Sequence, residues 1–445
     1  MRKKDYDKYY NKKFVGLKEE DEKQLEQIIN KIKFSDEDIK ILNAFYMPND
    51  VENFETPEMI TPMQMKAELR NIFVLLKHNY AGWEWFNKNN NLEKIEEELK
   101  EIVNSNSNPI KTVDFFKLIM DYLHKEIKDN HFSLIINDKI FRLDYMIAPY
   151  FTDIIVKENN GKYIVFNDNK YFPRNYLIKD DITNYLFKTL PDNNNEIYLL
   201  GILQDMNSIN NSIVIDEKNI PLHLSKSLKI KTKHKNEISK YEDFNYLNLY
   251  KCYVDDELNF KKYFEFGEEL KEKNKAVISV VNNPGGSSIV CSQIISGLNN
   301  NGNWNVNCST LNIYQESGIP IKYYTYYSSE SADNCANEYE KELYILMNKY
   351  TASAGESLVA MSNNIKKVIK VGTNTMGCGY FGETKCYVLP QTHATIILPY
   401  KAFYMDGFEE GIGYLPDYWM DDENMIETFK EWLTKIDKRG CKKIK

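Results

Sequence analysis

The stretch NKYTASAGESLVAMSNN (348–364) sets a serine between alanines and places a glutamate three positions later. Ser353 followed by Glu356 is the S-x-x-E pattern of a capping box, which predicts a helix beginning just after the serine. The same placement suits a nucleophile. A hydroxyl at a helix N-terminus lies beside backbone N–H groups that lack helical partners, at the positive end of the dipole, where a developing oxyanion is stabilised. Small neighbours, Ala352, Ala354 and Gly355, leave room for a substrate backbone. The two roles are compatible, and the local pattern leaves both open.

Three further stretches have residue types that could join such a serine. VVNNPGGSS (280–288) puts a glycine pair directly after an apolar run. It is either a plain turn or a loop whose N–H groups, that of Gly286 among them, complete an oxyanion hole. It is too short for a phosphate-binding P-loop and lacks that motif's lysine. EIKDNHFSLIIN (126–137) places His131 where a helix ends and a strand starts, as a structural histidine or as a base. DGFEEGIGYLPD (406–417) is acidic and glycine-rich, and its Glu410 is either an ordinary loop carboxylate or part of a site.

The elements that must position these residues fall into three parts. Residues 19–145 read as helical: LRNIFVLLKHNY (69–80) and TVDFFKLIMDYLHKEI (112–127) both carry apolar residues at helical spacing. From about 146 to 255 the pattern turns to short β-branched and aromatic segments. TDIIVKENNGKYIVF (152–166) predicts a hairpin with its turn at NNG, and EIYLLGIL (196–203) a strand. HLSKSLKIKTKHKNEISK (223–240) reads as a solvated basic ribbon. From 256 to 445 helix and strand alternate. The segment 258–274 is a helix, AVISVV (276–281) a buried strand, IVCSQIISGL a helix, LYILMNK (343–349) a strand, the serine stretch a helix, and KKVIKVG (366–372) a strand. That alternation predicts an α/β domain with a mostly parallel, helix-covered sheet.

Composition excludes several classes. A formal charge of −8 (57 basic against 65 acidic side chains) with no basic block disfavours nucleic acid as a partner. No apolar run approaches the 18 or so residues a membrane helix needs. The seven cysteines lack any CxxC pair and the six histidines any HExxH spacing, so no metal site and no cofactor are expected. The start, MRKKDYDKYYNKKF, has positive charge without an apolar stretch behind it. It reads as no signal peptide, so a cytoplasmic location is the expectation unless the start is trimmed, in which case export becomes the alternative.

Taken in order, strand–NNPGG, strand–TASAGE on a helix, VGTNTMG (371–377), LPQTHATIILP (389–399) and EGIGYLPD (410–417) resemble the C-terminal-processing (tail-specific) serine peptidase family over roughly residues 65–430. The resemblance implies a crotonase- and ClpP-like α/β catalytic core at 256–445, an N-terminal helical domain at 1–145 carrying His131, and an intervening β-rich region at 146–255. It implies Ser353 as nucleophile and the backbone N–H groups of Gly286 and Ala354 as oxyanion hole. In the bacterial processing peptidases a lysine following GxxTxG is the general base, and here that position is Cys378. The tricorn-core branch uses a histidine from the helical region and a glutamate just before GxxPD. This chain is similar to that branch at both places, His131 in DNHF and Glu410 in EGIGYLPD. A Ser–His–Glu set is chemically complete, since an imidazole accepts the hydroxyl proton while the carboxylate fixes its tautomer.

Two departures accompany the missing lysine. The family's Asp-Leu-Arg-like run before NNPGG is replaced by Ser279, Val280 and Val281, and 146–250 contains no recognisable PDZ segment. The expected function is therefore a serine endopeptidase acting through an acyl-enzyme on short or unfolded peptides. The alternative is a non-catalytic peptide- or ligand-binding relative, favoured by Cys378 and opposed by His131 and Glu410. Cys378 as a thiol nucleophile is the poorest reading, for no basic partner is apparent.

Overall fold

The computed structural model describes residues 35–48, 54–143, 145–192, 195–207, 210–253, 260–299, 308–314, 321–327, 339–363, 365–403, 405 and 407–440. The expected helical reading of 19–34 lies outside them. The chain clusters into two compact units. One comprises Met1–Tyr145, Asn307–Ser328 and Tyr380–Asp406, the other Met146–Val306, Ser329–Gly379 and Gly407–Lys445.

In the first unit, helices at Asp36–Leu42, Pro62–Asn79, Asn91–Ser105 and Thr112–Leu123 accompany a six-stranded antiparallel sheet. The helix starts are written in the sequence. Thr61 caps the second helix in a capping box with Gln64, and Pro62 fills the first helical position, where its missing N–H costs nothing. Phe115, Phe116, Ile119, Met120 and Leu123 form the buried stripe of the fourth. The broad helical reading of 19–145 stops at Leu123, and a strand follows His131 as the stretch 126–137 predicts. Ser133–Ile136 and Lys139–Arg142 form a hairpin, because SLII is buried throughout and Asn137 takes the left-handed conformation a tight turn needs. Ser133–Ile136 then pairs with Thr395–Phe403, which also pairs with Phe381–Val388 and Cys308–Tyr314.

The second unit is built on an eleven-stranded mixed sheet. Its centre is parallel, running Phe244–Asn248, Lys275–Ser279, Glu342–Met347, Val368–Gly372, Tyr418–Trp419 and Leu186–Asp192 in spatial order. Phe244–Asn248, Lys275–Ser279 and Glu342–Met347 are buried along nearly their whole length, as a parallel sheet covered on both faces requires. Phe244, Tyr246, Val277, Tyr344, Leu346 and Val371 pack with Met425, Phe429 and Leu433 of the helix Met425–Gly440. On the other face Asn245 donates through Nδ2 to the Glu269 carbonyl of the helix Phe260–Leu270. The hairpin predicted at NNG is present, Ile147–Asn159 against Lys162–Val165, and these strands continue the same sheet. The stretch 223–240 is not wholly solvated: Ser225, Ser227 and Ile230 are buried, and His223 Nε2 lies 2.7 Å from Asp421 Oδ2. Among the described residues no helix is long and apolar enough to cross a membrane.

Helices Phe260–Leu270 and Ser288–Leu298 touch backbone to backbone. A Cβ at Gly297 would stand 2.0 Å from the Phe264 carbonyl oxygen, a distance no side chain can relieve. Gly297→Ala should therefore push the helices apart and lower stability by roughly 1–3 kcal/mol, the usual cost of overpacking. Denaturant unfolding checks this, and an unchanged midpoint would show that the pair separates at no cost.

Candidate active site

The site residues of the second unit gather at the carboxyl ends of two neighbouring parallel strands, Lys275–Ser279 and Glu342–Met347, the usual place for a ligand site in an α/β sheet. Two asparagines knit the loops that leave these strands. Asn348 Oδ1 accepts from the Asn282 N–H (3.0 Å), and Asn348 Nδ2 donates to Asn282 Oδ1 (2.8 Å). The Ala352 N–H donates to the Asn283 carbonyl (2.9 Å), and Thr351 Oγ1 donates to the Val280 carbonyl (2.7 Å). Asn283, Asn348 and Thr351 are fully buried, so each polar atom that is satisfied here also fixes a loop.

Ser353 stands between strand and helix with φ 50° and ψ −117°, and the helix Ala354–Ser362 follows directly. A non-glycine residue with that φ is strained by roughly 1–3 kcal/mol and persists only where its surroundings dictate it. Such a sharp strand-to-helix turn is how serine hydrolases present a nucleophile clear of the backbone. The glutamate half of the capping box predicted from the sequence is present, Glu356 Oε2 accepting from the Ser353 N–H at 3.1 Å. Ser353 is half-buried, whereas Ala354 is buried.

The glycine pair lies against this turn. A Cβ at Gly285 would be 2.8 Å from the Ser353 Cβ and 3.1 Å from the Ala354 nitrogen, and Gly285 has φ 102°, so only glycine serves. The Gly285 N–H goes to Asn283 Oδ1 (2.8 Å) and the Ser287 N–H to the Cys252 carbonyl (2.6 Å). Among the described residues no acceptor takes the N–H of Gly286 or of Ala354. Beneath them lie buried thiols: Cys291 Sγ donates to the Ala354 carbonyl at 3.1 Å and is 3.5 Å from Cys252 Sγ.

Glu356 does more than cap the helix. Its fully buried carboxylate accepts from the Ser353 N–H (3.1 Å), Thr375 Oγ1 (2.6 Å), the Gly377 N–H (2.7 Å) and the Cys378 N–H (3.0 Å). Burial pushes this carboxyl above the usual range, and the four donors and the Lys349 ammonium oppose that. The next residues anchor Glu410. Its Oε2 accepts from the Gly379 N–H (3.2 Å), while the Gly411 N–H donates to the Gly377 carbonyl (2.7 Å). Cys378 is buried, and its thiol is pushed well above its ordinary pKa, first by burial and then by the charges of Glu356 and Glu410. A thiol so held is protonated and inert, which removes it as a nucleophile.

Of the residues predicted from the sequence, Ser353, Ala354, Gly286, Cys378 and Glu410 belong to this unit. His131 belongs to the first unit, on the turn before Ser133–Ile136. There its N–H donates to Asp129 Oδ1 (2.9 Å), and its Nδ1 is 3.9 Å from the same oxygen. Asp129 is fully buried and accepts from the Tyr80 hydroxyl at 2.8 Å. Burial pushes its carboxyl up, against the pull of His131 and Tyr80. Among the described residues no group of three or more His, Cys, Asp or Glu side chains is arranged to hold a metal ion. Sequence reading missed Asp129 and the wider part of Glu356. A D-x-H triplet and a glutamate already explained as a cap give no spacing that marks either.

A strained serine on a strand–helix turn, with a glycine loop against it, is the arrangement in which α/β serine hydrolases present a nucleophile. Residues 243–418 match peptidase family S41, and that match marks the protein as a serine peptidase. Among solved structures the chain is similar to a peptidase structure from Parabacteroides merdae, with 14% identity over 84% of this chain and 97% of that one at a TM-score of 0.45. It is also similar to mature CPAF complexed with lactacystin (12% identity, 85% and 98% covered, TM-score 0.48). The photosystem II D1 C-terminal processing protease is a third (12%, 81% and 93%, 0.39). No curated protein matches the chain.

Glu356→Gln tests the carboxylate network. An amide keeps the shape but turns N–H groups toward donors, each mismatch costing roughly 1–3 kcal/mol. The variant should melt lower and react with a serine-directed probe at least tenfold more slowly. Parental melting and labelling would mean that the segment 375–378 is held by something else.

Proposed function

We propose that this protein is a serine endopeptidase that cleaves short or unfolded peptides through an acyl-enzyme. The conformation of Ser353 is the observation that supports this most. Strain at that residue has no use in a mere helix cap, whereas it presents a nucleophile. Ser353 Oγ attacks the scissile carbonyl. The N–H groups of Gly286 and Ala354, which have no internal acceptor among the described residues, are the donors that receive the oxyanion.

His131 acts as general base and Glu410 as its orienting carboxylate. The support is the sequence pattern around both residues, together with the inert thiol at Cys378, where the processing peptidases have lysine. In the first half-reaction His131 takes the hydroxyl proton and returns it to the leaving amine. In the second it activates water against the ester. Asp129, fixed by Tyr80, holds the backbone of the His131 turn. No metal and no cofactor enter this chemistry.

A fluorophosphonate probe tests the assignment. It should label the wild-type protein once, at Ser353, and Ser353→Ala should lose both labelling and peptide hydrolysis while folding normally. The cap it removes is worth only about 1 kcal/mol. Glu410→Gln should retain labelling but at a rate lower by several orders of magnitude, for in the serine-protease template the analogous change costs on the order of 10⁴. Labelling that persists in Ser353→Ala would leave the serine as a cap and end the proposal.

A further inference from the structure

Lys349 is a lysine with no exposed surface, four residues before Ser353 and two beyond the strand Glu342–Met347. Its Nζ donates to three backbone carbonyls, those of Met376 (2.8 Å), Thr375 (3.0 Å) and Gly411 (3.3 Å). An ammonium has three hydrogens and no acceptor capacity, so the fit of three donors to three acceptors is complete. The three carbonyls come from two segments. Thr375 and Met376 precede Cys378, and Gly411 follows Glu410. The same stretch gives the N–H groups of Gly377 and Cys378 to Glu356. One buried cation thus collects the carbonyls, and one buried anion the amides, of a single turn.

We propose that Lys349 is a positioning residue of the peptidase, its ammonium locking the segments that carry Cys378 and Glu410 onto the turn that presents Ser353. This rests on the reading of Ser353 as nucleophile and of Glu410 as its distant carboxylate. A carboxylate that must steady an imidazole has to be held to within about half an ångström. The loop 407–413 contains three glycines, Gly407, Gly411 and Gly413, which offer no side chains to grip, so a backbone carbonyl is the available handle beside Glu410.

The lock is sensitive to alkali. The charged or titratable groups facing Lys349 are Glu356 on the helix after Ser353, Cys378 on the clamped turn and Glu410 on the second loop. Burial outweighs their attraction and lowers the Lys349 pKa to about 8. Once deprotonated, the amine has two hydrogens for three carbonyls and points a lone pair at the third, so one anchor is lost. The sign on stability is opposite. Between pH 8 and the ordinary lysine value near 10.5, the folded protein binds fewer protons than the unfolded chain, so the contribution of Lys349 to stability rises across that window. Activity should fall there while the fold does not weaken on this account, a combination that a purely structural strut cannot give.

The experiment measures two things from pH 6.5 to 10 on the full chain: the rate of fluorophosphonate labelling, and amide hydrogen exchange of peptides spanning 374–379 and 409–414, corrected for intrinsic exchange. In the wild type, labelling should fall about tenfold per pH unit above 8 and protection of both segments should drop together. In Lys349→Met the labelling rate should be at least tenfold lower at pH 7, with no alkaline fall and both segments unprotected throughout. Lys349→Gln serves if that variant does not fold, and Lys349→Arg, whose charge persists, should recover part of the rate and carry the fall beyond pH 9. Wild-type profiles flat to pH 9.5, or an unchanged alkaline fall in the folded variants, overturn the proposal. Loss of protection above pH 8 without labelling at any pH would uphold the lock and reject the nucleophile instead.

Discussion

The second unit depends on how one four-residue turn is held. Residues 375–378 are clamped between a carboxylate and an ammonium, both without access to water. Glu356 and Lys349 are not bonded to each other; each is bonded to the turn between them. Burial drives both toward neutrality, the carboxyl up and the ammonium down, even though each pulls the other the opposite way. Desolvation therefore exceeds attraction, as is usual for buried ions. Such a pair is a poor device for adding stability. It is a good device for specifying one backbone conformation, because any other arrangement of the turn would leave two charges buried and unsatisfied.

The remaining constraints converge on the same place. The Ser353 N–H also ends on Glu356, so the carboxylate that fixes the turn fixes the strained serine. Asn282 and Asn348 tie the glycine loop to the segment before the serine through their side chains and Asn283 does so through its carbonyl, while the Gly286 N–H has no acceptor among the described residues. Strain at Ser353 is thereby opposed from three sides, by the helix it starts, by the loop against it and by the clamped turn. Each alone would allow the serine to relax into an ordinary cap. Together they keep a costly backbone conformation, which is what a preorganised site requires.

Much of this was legible in the sequence where the signal is local. The capping box, the glycine pair, the NNG hairpin and the alternation that makes a parallel sheet all rest on neighbours a few residues apart. The start of a strand after His131 was legible in EIKDNHFSLIIN, but the hairpin that continues to Arg142 was not, and the sheet partner of Ser133–Ile136, Thr395–Phe403, lies more than 250 residues on. Glu356 was read as a cap, its nearest role, and the three donors that reach it from 375–378 are tertiary. Lys349 gave no signal at all. Lysine after an apolar strand is ordinarily the first solvated residue, and only the packing of two distant segments over it makes it buried.

Cys378 gains a physical meaning from the same geometry. A lysine there would lie under the influence of Glu356 and Glu410, the two carboxylates whose charges now act on the thiol. Those charges act on Lys349 as well. The site thus has a cation for its buried carboxylates, but contributed by the strand side of the clamped turn and spent on carbonyls. An ammonium with all three hydrogens committed cannot serve as a proton acceptor while it holds them. On the proposed reading, in which His131 is the base, a lysine used as a lock is unsuited to that role, and the thiol at 378 reflects a site whose cation has been placed at Lys349 instead.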